Sequence, residues 1–264
     1  MPNTCIRQLF RVAVLLGASA LCACQAPPVQ LSSTVAMQAS SRGRILSDSE
    51  AARLRDLLPG PYPQRPGASP AQTAELNRQL AEAEVQFIRA VQDDATAQAL
   101  ARANRVDASD PLWEFAVVLG PHFNATECPR LRDAVAAAES EANAITNAAK
   151  KKFPRPRPPG SGITTDDAYP SGHAVRAFFR ARLLAEIAPA KKDELLRAAR
   201  IMVLNRVIAG KHHPSDCVGS ILLGSAIADA MLTAANDEST AFHAELEAAK
   251  KEWRVLITPT KDTK

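Results

Sequence analysis

Three cations, two imidazoles and a carboxylate fall in three short blocks of the second half of the chain. The first block runs Lys150-Lys-Lys-Phe-Pro-Arg-Pro-Arg157-Pro158 and the second is Pro170-Ser171-Gly172-His173. The third opens at Asn205-Arg206 and ends at His212-His-Pro-Ser-Asp216. An arginine fork matches pairs of phosphate oxygens, and a lysine adds a compact charge. One imidazole can attack phosphorus while another protonates the departing group. Asp216, four residues after His212, can reach back to hold that ring in one tautomer. Each block alone has a plainer reading. The first is also a solvated basic turn, the second a helix cap before a surface histidine. His212, His213 and Asp216 would suit a metal, but three nearby cations oppose a divalent ion. What favours the chemical reading is the presence of all three blocks in order.

Helices must position these blocks, because alternating strand patterns are scarce. Leu131, Val135, Ala138, Ala142, Ile145 and Ala149 recur at three- and four-residue steps and deliver Lys150 at a helix end. Pro154, Pro156, Pro158 and Pro159 stop that helix and leave Arg157 on an extended arm. Ser171 is placed to cap the next helix, whose apolar stripe is Val175, Phe179, Leu183 and Ile187. Backbone N–H groups at Ser171 and Gly172 then point towards an anion. A third helix, begun by Leu195, Ala199 and Met202, carries Arg206 and is closed by Gly210. Upstream, Ser47-Asp48-Ser49-Glu50 reads as a helix start, 59–70 as a Pro/Gly loop, and 71–103 as one long helical stretch. The expectation is an all-α, single compact helical domain.

The three blocks together closely resemble the signature of the type 2 phosphatidic acid phosphatase (PAP2) superfamily: Lys, six residues, Arg-Pro; Pro-Ser-Gly-His; Ser-Arg, five residues, His, three residues, Asp. This chain departs from it at Asn205, where the signature has Ser. The likeness extends faintly to the exported bacterial class A acid phosphatases, whose Pro-rich segment also precedes an alanine-rich helical region. The resemblance implies that His212 is the nucleophile, His173 the general acid and base, and Asp216 the residue that orients His212. Lys150, Arg157, Ser171, Gly172 and Arg206 would bind phosphate. The implied reaction is hydrolysis of phosphate monoesters through a phosphohistidine, with no metal and no cofactor, at a weakly acidic optimum. Two rivals stay open. One is a vanadium-dependent haloperoxidase-like enzyme; the other is a surface lipoprotein that binds phosphate without turning it over.

The chain has 264 residues and a formal charge of +4, with 32 Lys and Arg against 28 Asp and Glu. Arg7 and Arg11 belong to a basic start ahead of an apolar run at Val12–Leu21, so the rest is nearly balanced. That balance makes no case for a nucleic-acid partner. The expected partner is a small phosphorylated substrate, with homo-oligomers also open. Leu21-Cys22-Ala23-Cys24 resembles a lipobox with lipid on Cys24; an ordinary secretory signal cut after Ala20 or Ala23 is the alternative. The expected organisation is a signal at 1–23, a tether at 24–45, a PAP2-like domain at 46–255 and a polar tail at 256–264. The expected location is the periplasm of a bacterium, with contact to the outer membrane through that anchor alone. No later stretch reads as long and apolar enough to span a bilayer, since Ser220, Gly224, Ser225 and Asp229 interrupt the one at 221–232. Cys128 and Cys217 form either a disulfide or two buried thiols. Arg155, Lys151 and Lys152 read as solvated charges, and His122 and His243 as structural or exposed.

Overall fold

In the computed structural model, described for residues 43–62, 66–105, 112–164 and 166–258, the chain folds into α-helices with no strand among those residues. The helices are α1 (Asp48–Arg55), α2 (Pro70–Asp94), α3 (Ala97–Arg105), α4 (Ala116–Leu119), α5 (Pro129–Lys150), α6 (Gly172–Ile187), α7 (Lys192–Ile208), α8 (Pro214–Ala234) and α9 (Ala241–Ile257). The proposed signal, Cys24 and nearly all of the tether lie outside the described residues. The last residues of the tether segment are docked: Glu141 of α5 accepts the backbone N–H groups of Ile45 and Leu46 at 2.9 and 3.1 Å.

Helix starts follow local side-chain chemistry. Ser47 caps α1 by accepting the Glu50 N–H at 3.2 Å. Ser69 and Gln72 form a reciprocal capping box on α2, with Pro70 in the first turn. The single helix expected over 71–103 is instead two. Ala95 is extended, and Thr96 Oγ1 accepts the Ala99 N–H at 3.1 Å, so a second cap interrupts a run of good helix formers.

α6 is the centre of the bundle. It packs most extensively on α7 and α8, with α5 also against it, while α9 lies on α5 and α1 touches α5 and α8. The stripe expected on α6 is buried, but so are Ala174, Ala177, Phe178, Ala181 and Leu184, so the apolar face is wider than a single stripe. Close approach of α8 to α6 depends on Gly224, where a Cβ would collide with the Val175 carbonyl. α7 ends in a Schellman motif: the N–H groups of Gly210 and Lys211 reach the carbonyls of Val207 and Arg206, with Gly210 at φ 65°. The chain thereby turns sharply and sets His212 beneath the start of α8.

One expectation needs correction, and one open choice is decided. α8, 21 residues with mean hydropathy 1.6, is long and apolar enough to cross a membrane by length and composition. Two of the residues that seemed to interrupt it serve packing: Ser220 is buried and donates to the Asp216 carbonyl at 2.5 Å, and Gly224 is a helix contact. The helix is partly buried in the bundle, through Leu223, Ile227, Ala228 and Met231. Of the two states open to Cys128 and Cys217, the structure holds the thiols. Cys128 and Cys217 are free buried thiols, directed at different carbonyls, His122 at 3.3 Å and Val203 at 3.9 Å. Burial raises Cys128 to about 11 and Cys217 further still, which leaves both as inert thiols.

Candidate active site

The three blocks converge at one end of the bundle. Lys150 is the last residue of α5, Arg157 follows on the proline-rich arm, His173 is in the first turn of α6, and Arg206 is in the last turn of α7. His212 and Asp216 flank the start of α8. Arg206 is 1% exposed and His212 likewise, so the charge and the ring face each other's influence with little water between them.

Arg157 decides the tautomer of His212. Its Nη1 lies 2.7 Å from His212 Nε2, and a guanidinium has only donors. Nε2 therefore accepts and holds its lone pair on the Arg157 side of the ring. The proton sits on Nδ1, which donates to the Ala168 carbonyl at 2.9 Å. The expected orienting role of Asp216 is thus shared: its Oδ2 is 3.6 Å from Nδ1, further than Ala168. Ala168 is held by its own N–H to the Arg155 carbonyl at 2.8 Å. Beside it, the Tyr169 ring meets Phe153 edge-on at 5.3 Å and covers Gly219.

Asp216 is fully buried and is the hub of a second layer. It accepts the His213 N–H at 2.8 Å and faces His213 Nδ1 at 3.1 Å, which caps α8. Its Oδ1 accepts from Arg155 Nη1 at 2.5 Å. Arg155 is 7% exposed and not a solvated charge, as its sequence context had implied. It donates through Nη2 to Glu84 of α2 at 2.8 Å, to the Tyr62 hydroxyl, and through Nη1 to Ser215 Oγ at 2.8 Å. Its guanidinium also stacks 4.6 Å from the Tyr62 ring. Glu84 in turn accepts the Ser215 N–H at 2.6 Å. In the sequence, Arg155 reads as a solvated neighbour of Arg157, and Glu84 is one acid in an ordinary helix; neither signals this network.

Lys150 and Arg157 share a carboxylate that sequence reasoning missed. Asp166 lies 3.3 Å from Lys150 Nζ and 2.5 Å from Arg157 Nη2. Lys150 also donates to the Asp167 carbonyl at 2.5 Å, and Arg157 Nε to the Asp166 carbonyl at 3.2 Å. An acidic pair placed between two basic blocks was the available signal. One expected ligand is otherwise engaged: the Ser171 N–H donates to Ser220 Oγ at 2.7 Å. That leaves Gly172 to present a first-turn N–H without an intrahelical acceptor. Ser171 keeps its capping role, its Oγ accepting the Ala174 N–H at 3.4 Å. Asn205 is buried on α7.

The remaining candidates are peripheral. His122 pairs with Glu127 at 2.7 Å on the surface, and His243 bonds the Ala235 carbonyl at 2.8 Å. Lys152 pairs with Asp56. Among the described residues, no group of three or more His, Cys, Asp and Glu could hold a metal ion.

Residues 134–239, which hold all three blocks, match the PAP2 superfamily. The chain resembles this superfamily. A non-specific acid phosphatase of Providencia stuartii is 28% identical over 130 residues, which cover 45% of this chain and 50% of that protein. The chain thus spans half the length of that curated relative. The PAP2 match runs from the middle of the first turns of α5 into the segment before α9, so it includes Lys150, Arg157, His173, Arg206, His212 and Asp216. Glu84 and Tyr62, which brace the site through Arg155, lie outside it.

Charge and burial give this PAP2-like site a definite pH response. Burial lowers His173 to about 2, with Arg206, Arg176, His212 and Arg157 adding repulsion. Burial also lowers His212 to about 4, aided by Arg157 and Arg206 against the pull of Asp216. Burial would raise Asp216, but the His212 and His213 rings and Arg155 outweigh it and hold the carboxyl well below its ordinary range. An unfolded chain protonates its histidines near pH ~6.5 and so binds more protons than the fold below that value. Stability therefore falls as pH drops from about 6.5 towards 4 through His212, and further towards 2 through His173. Asp216 stabilises above the unfolded carboxyl value and loses that contribution as pH falls through its own lowered one. Between pH 6.5 and 5 each histidine costs about 2 kcal/mol, at ~1.4 kcal/mol per pKa unit. Chemical denaturation at pH 7 and 5 should show this loss, reduced in His173→Asn. An identical pH slope in that variant would contradict the assignment.

Proposed function

We propose that the protein is an exported phosphatase that hydrolyses phosphate monoesters through a phosphohistidine on His212, without a metal ion. The observation that carries this reading is the His212 ring itself: neutral, with its Nε2 lone pair on the side of Arg157 and its proton held on Nδ1. Lys150, Arg157 and Arg206, with the Gly172 N–H, supply the positive field that a metal would otherwise provide to the phosphoryl oxygens. His212 Nε2 attacks phosphorus in line; the bond to the ester oxygen breaks, and His173 gives that oxygen its proton. Water then attacks the phosphohistidine, His173 takes the water's proton, and phosphate leaves with Nε2 restored. His173 has to be protonated for the first step although burial, and then the site's cations, lower it. A phosphate dianion brings opposite charge to those cations and restores the proton, which favours activity on the acidic side of neutrality.

Export and a lipid anchor at Cys24 are proposed from the basic start, the apolar run and the Leu21-Cys22-Ala23-Cys24 box. The similarity to an acid phosphatase supports the choice of reaction. The test is p-nitrophenyl phosphate hydrolysis by the purified protein from pH 4.5 to 7.5, with and without a chelator. Chelator-resistant turnover is expected. Loss of activity with the chelator would overturn the metal-free mechanism. Phosphate binding with no turnover in folded protein would replace the enzyme by a phosphate-binding lipoprotein.

A further inference from the structure

We propose that Asp166 is an intramolecular competitor for the phosphate site, a carboxylate that bridges Lys150 and Arg157 and must yield before a phosphoryl group can take both cations. This inference rests on the proposed reading of the site as a phosphate site. Three observations support it. The first is the bridge itself, 3.3 Å to Lys150 Nζ and 2.5 Å to Arg157 Nη2. Although burial pulls the Asp166 carboxyl upward, Lys150 and Arg157 outweigh it and hold it below its usual value, so it stands there as an anion.

The second is an asymmetry of exposure. The Asp166 side chain is 49% exposed, whereas those of Lys150 and Arg157 are 11% and 8% exposed. The carboxylate can therefore withdraw into water while the cations stay in the wall. Asp166 lies outside any helix and lines a cavity of about 510 Å³ with Arg157, Pro158, Gly160 and Ile163, which gives the displaced side chain room.

The third is the partner that Arg157 holds on its other side. The same guanidinium that grips Asp166 through Nη2 donates through Nη1 to His212 Nε2. A phosphoryl group that draws Arg157 away from Asp166 also draws it off the lone pair that attacks. Displacement of one carboxylate thus couples substrate entry to release of the nucleophile. In the reverse direction, Asp166 returns to the cations and speeds the departure of product phosphate. A single negative charge yields more readily to a phosphomonoester dianion than to a singly charged diester, so the device also favours monoesters.

The test is calorimetric titration of inorganic phosphate into the full chain, as wild type, Asp166→Asn and Asp166→Ala, at one pH and ionic strength. Removing the competitor should tighten phosphate binding by roughly five- to tenfold, the scale of one or two partly exposed ion pairs. Tighter binding is a gain that loss of a merely structural contact would not produce. Equal or weaker binding in both folded variants, with wild type binding phosphate, overturns the role of Asp166 alone. Failure of folded wild type and both variants to bind phosphate overturns the site reading and this inference with it.

Discussion

His212→Ala should lower kcat for p-nitrophenyl phosphate by at least about 10⁴-fold, the scale seen when a covalent nucleophile is removed. The remaining cations can still bind the ester, so KM should change far less than kcat. The reason lies in the ring's geometry. Arg157 can only donate, so Nε2 is the accepting nitrogen, and the Ala168 carbonyl retains the proton on Nδ1. His213 cannot take its place, because it is turned into the α8 cap against Asp216. His173→Ala should behave differently. It should spare a good leaving group such as p-nitrophenolate and harm an alkyl phosphate strongly, because only the poor leaving group needs a proton. Turnover by His212→Ala within about tenfold of wild type would rule out the phosphohistidine.

Arg155→Ala should destabilise the fold by about 3–5 kcal/mol, because it leaves the Asp216 and Glu84 carboxylates without their shared cation. For a chain of this size that is a fall in melting temperature of roughly 10 °C. Asp216 is 0% and Glu84 15% exposed, so water cannot replace the lost charge cheaply. Activity should fall too, since Asp216, which faces His212, loses the guanidinium that holds it. Arg155→Lys keeps the charge but not the fork that reaches Asp216, Ser215, Glu84 and Tyr62, and should recover only part of the loss. Adding Glu84→Gln to Arg155→Ala should cost less than the two single changes summed, as the second removes an already orphaned charge. A melting temperature for Arg155→Ala within about 2 °C of wild type would show the network to be inconsequential.

The similarity to PAP2 proteins lies in 134–239, and the brace supplied by Tyr62 and Glu84 lies outside it. The candidate site and part of its bracing are therefore written in different parts of the chain. A charge network of this kind lets α2 influence the orientation of Asp216 without touching a phosphate. It also gives Glu84, on an alanine-rich helix, its partners Arg155 and Ser215.

Helical class, the α5 stripe ending at Lys150, the Ser171 cap, the Gly210 stop and the three blocks were legible in the sequence by itself. Each depends on local rules: a 3.6-residue apolar period, a hydroxyl that accepts an early N–H, a glycine that adopts positive φ, and residue types at fixed spacing. Only the tertiary structure decided which charges share a site. Arg155 and Arg157 are two residues apart on a proline-locked arm, yet one is buried against Asp216 and Glu84 and the other faces His212. Asp216 proved to serve His213 and Arg155 as much as His212, and Ser171 gave its N–H to Ser220 on α8. Ser220 and Gly224, which looked like breaks in an apolar run, are contact points of α8 with its surroundings. Pairings between distant segments depend on how helices cross, and local periodicity carries no information about which carboxylate will meet which guanidinium.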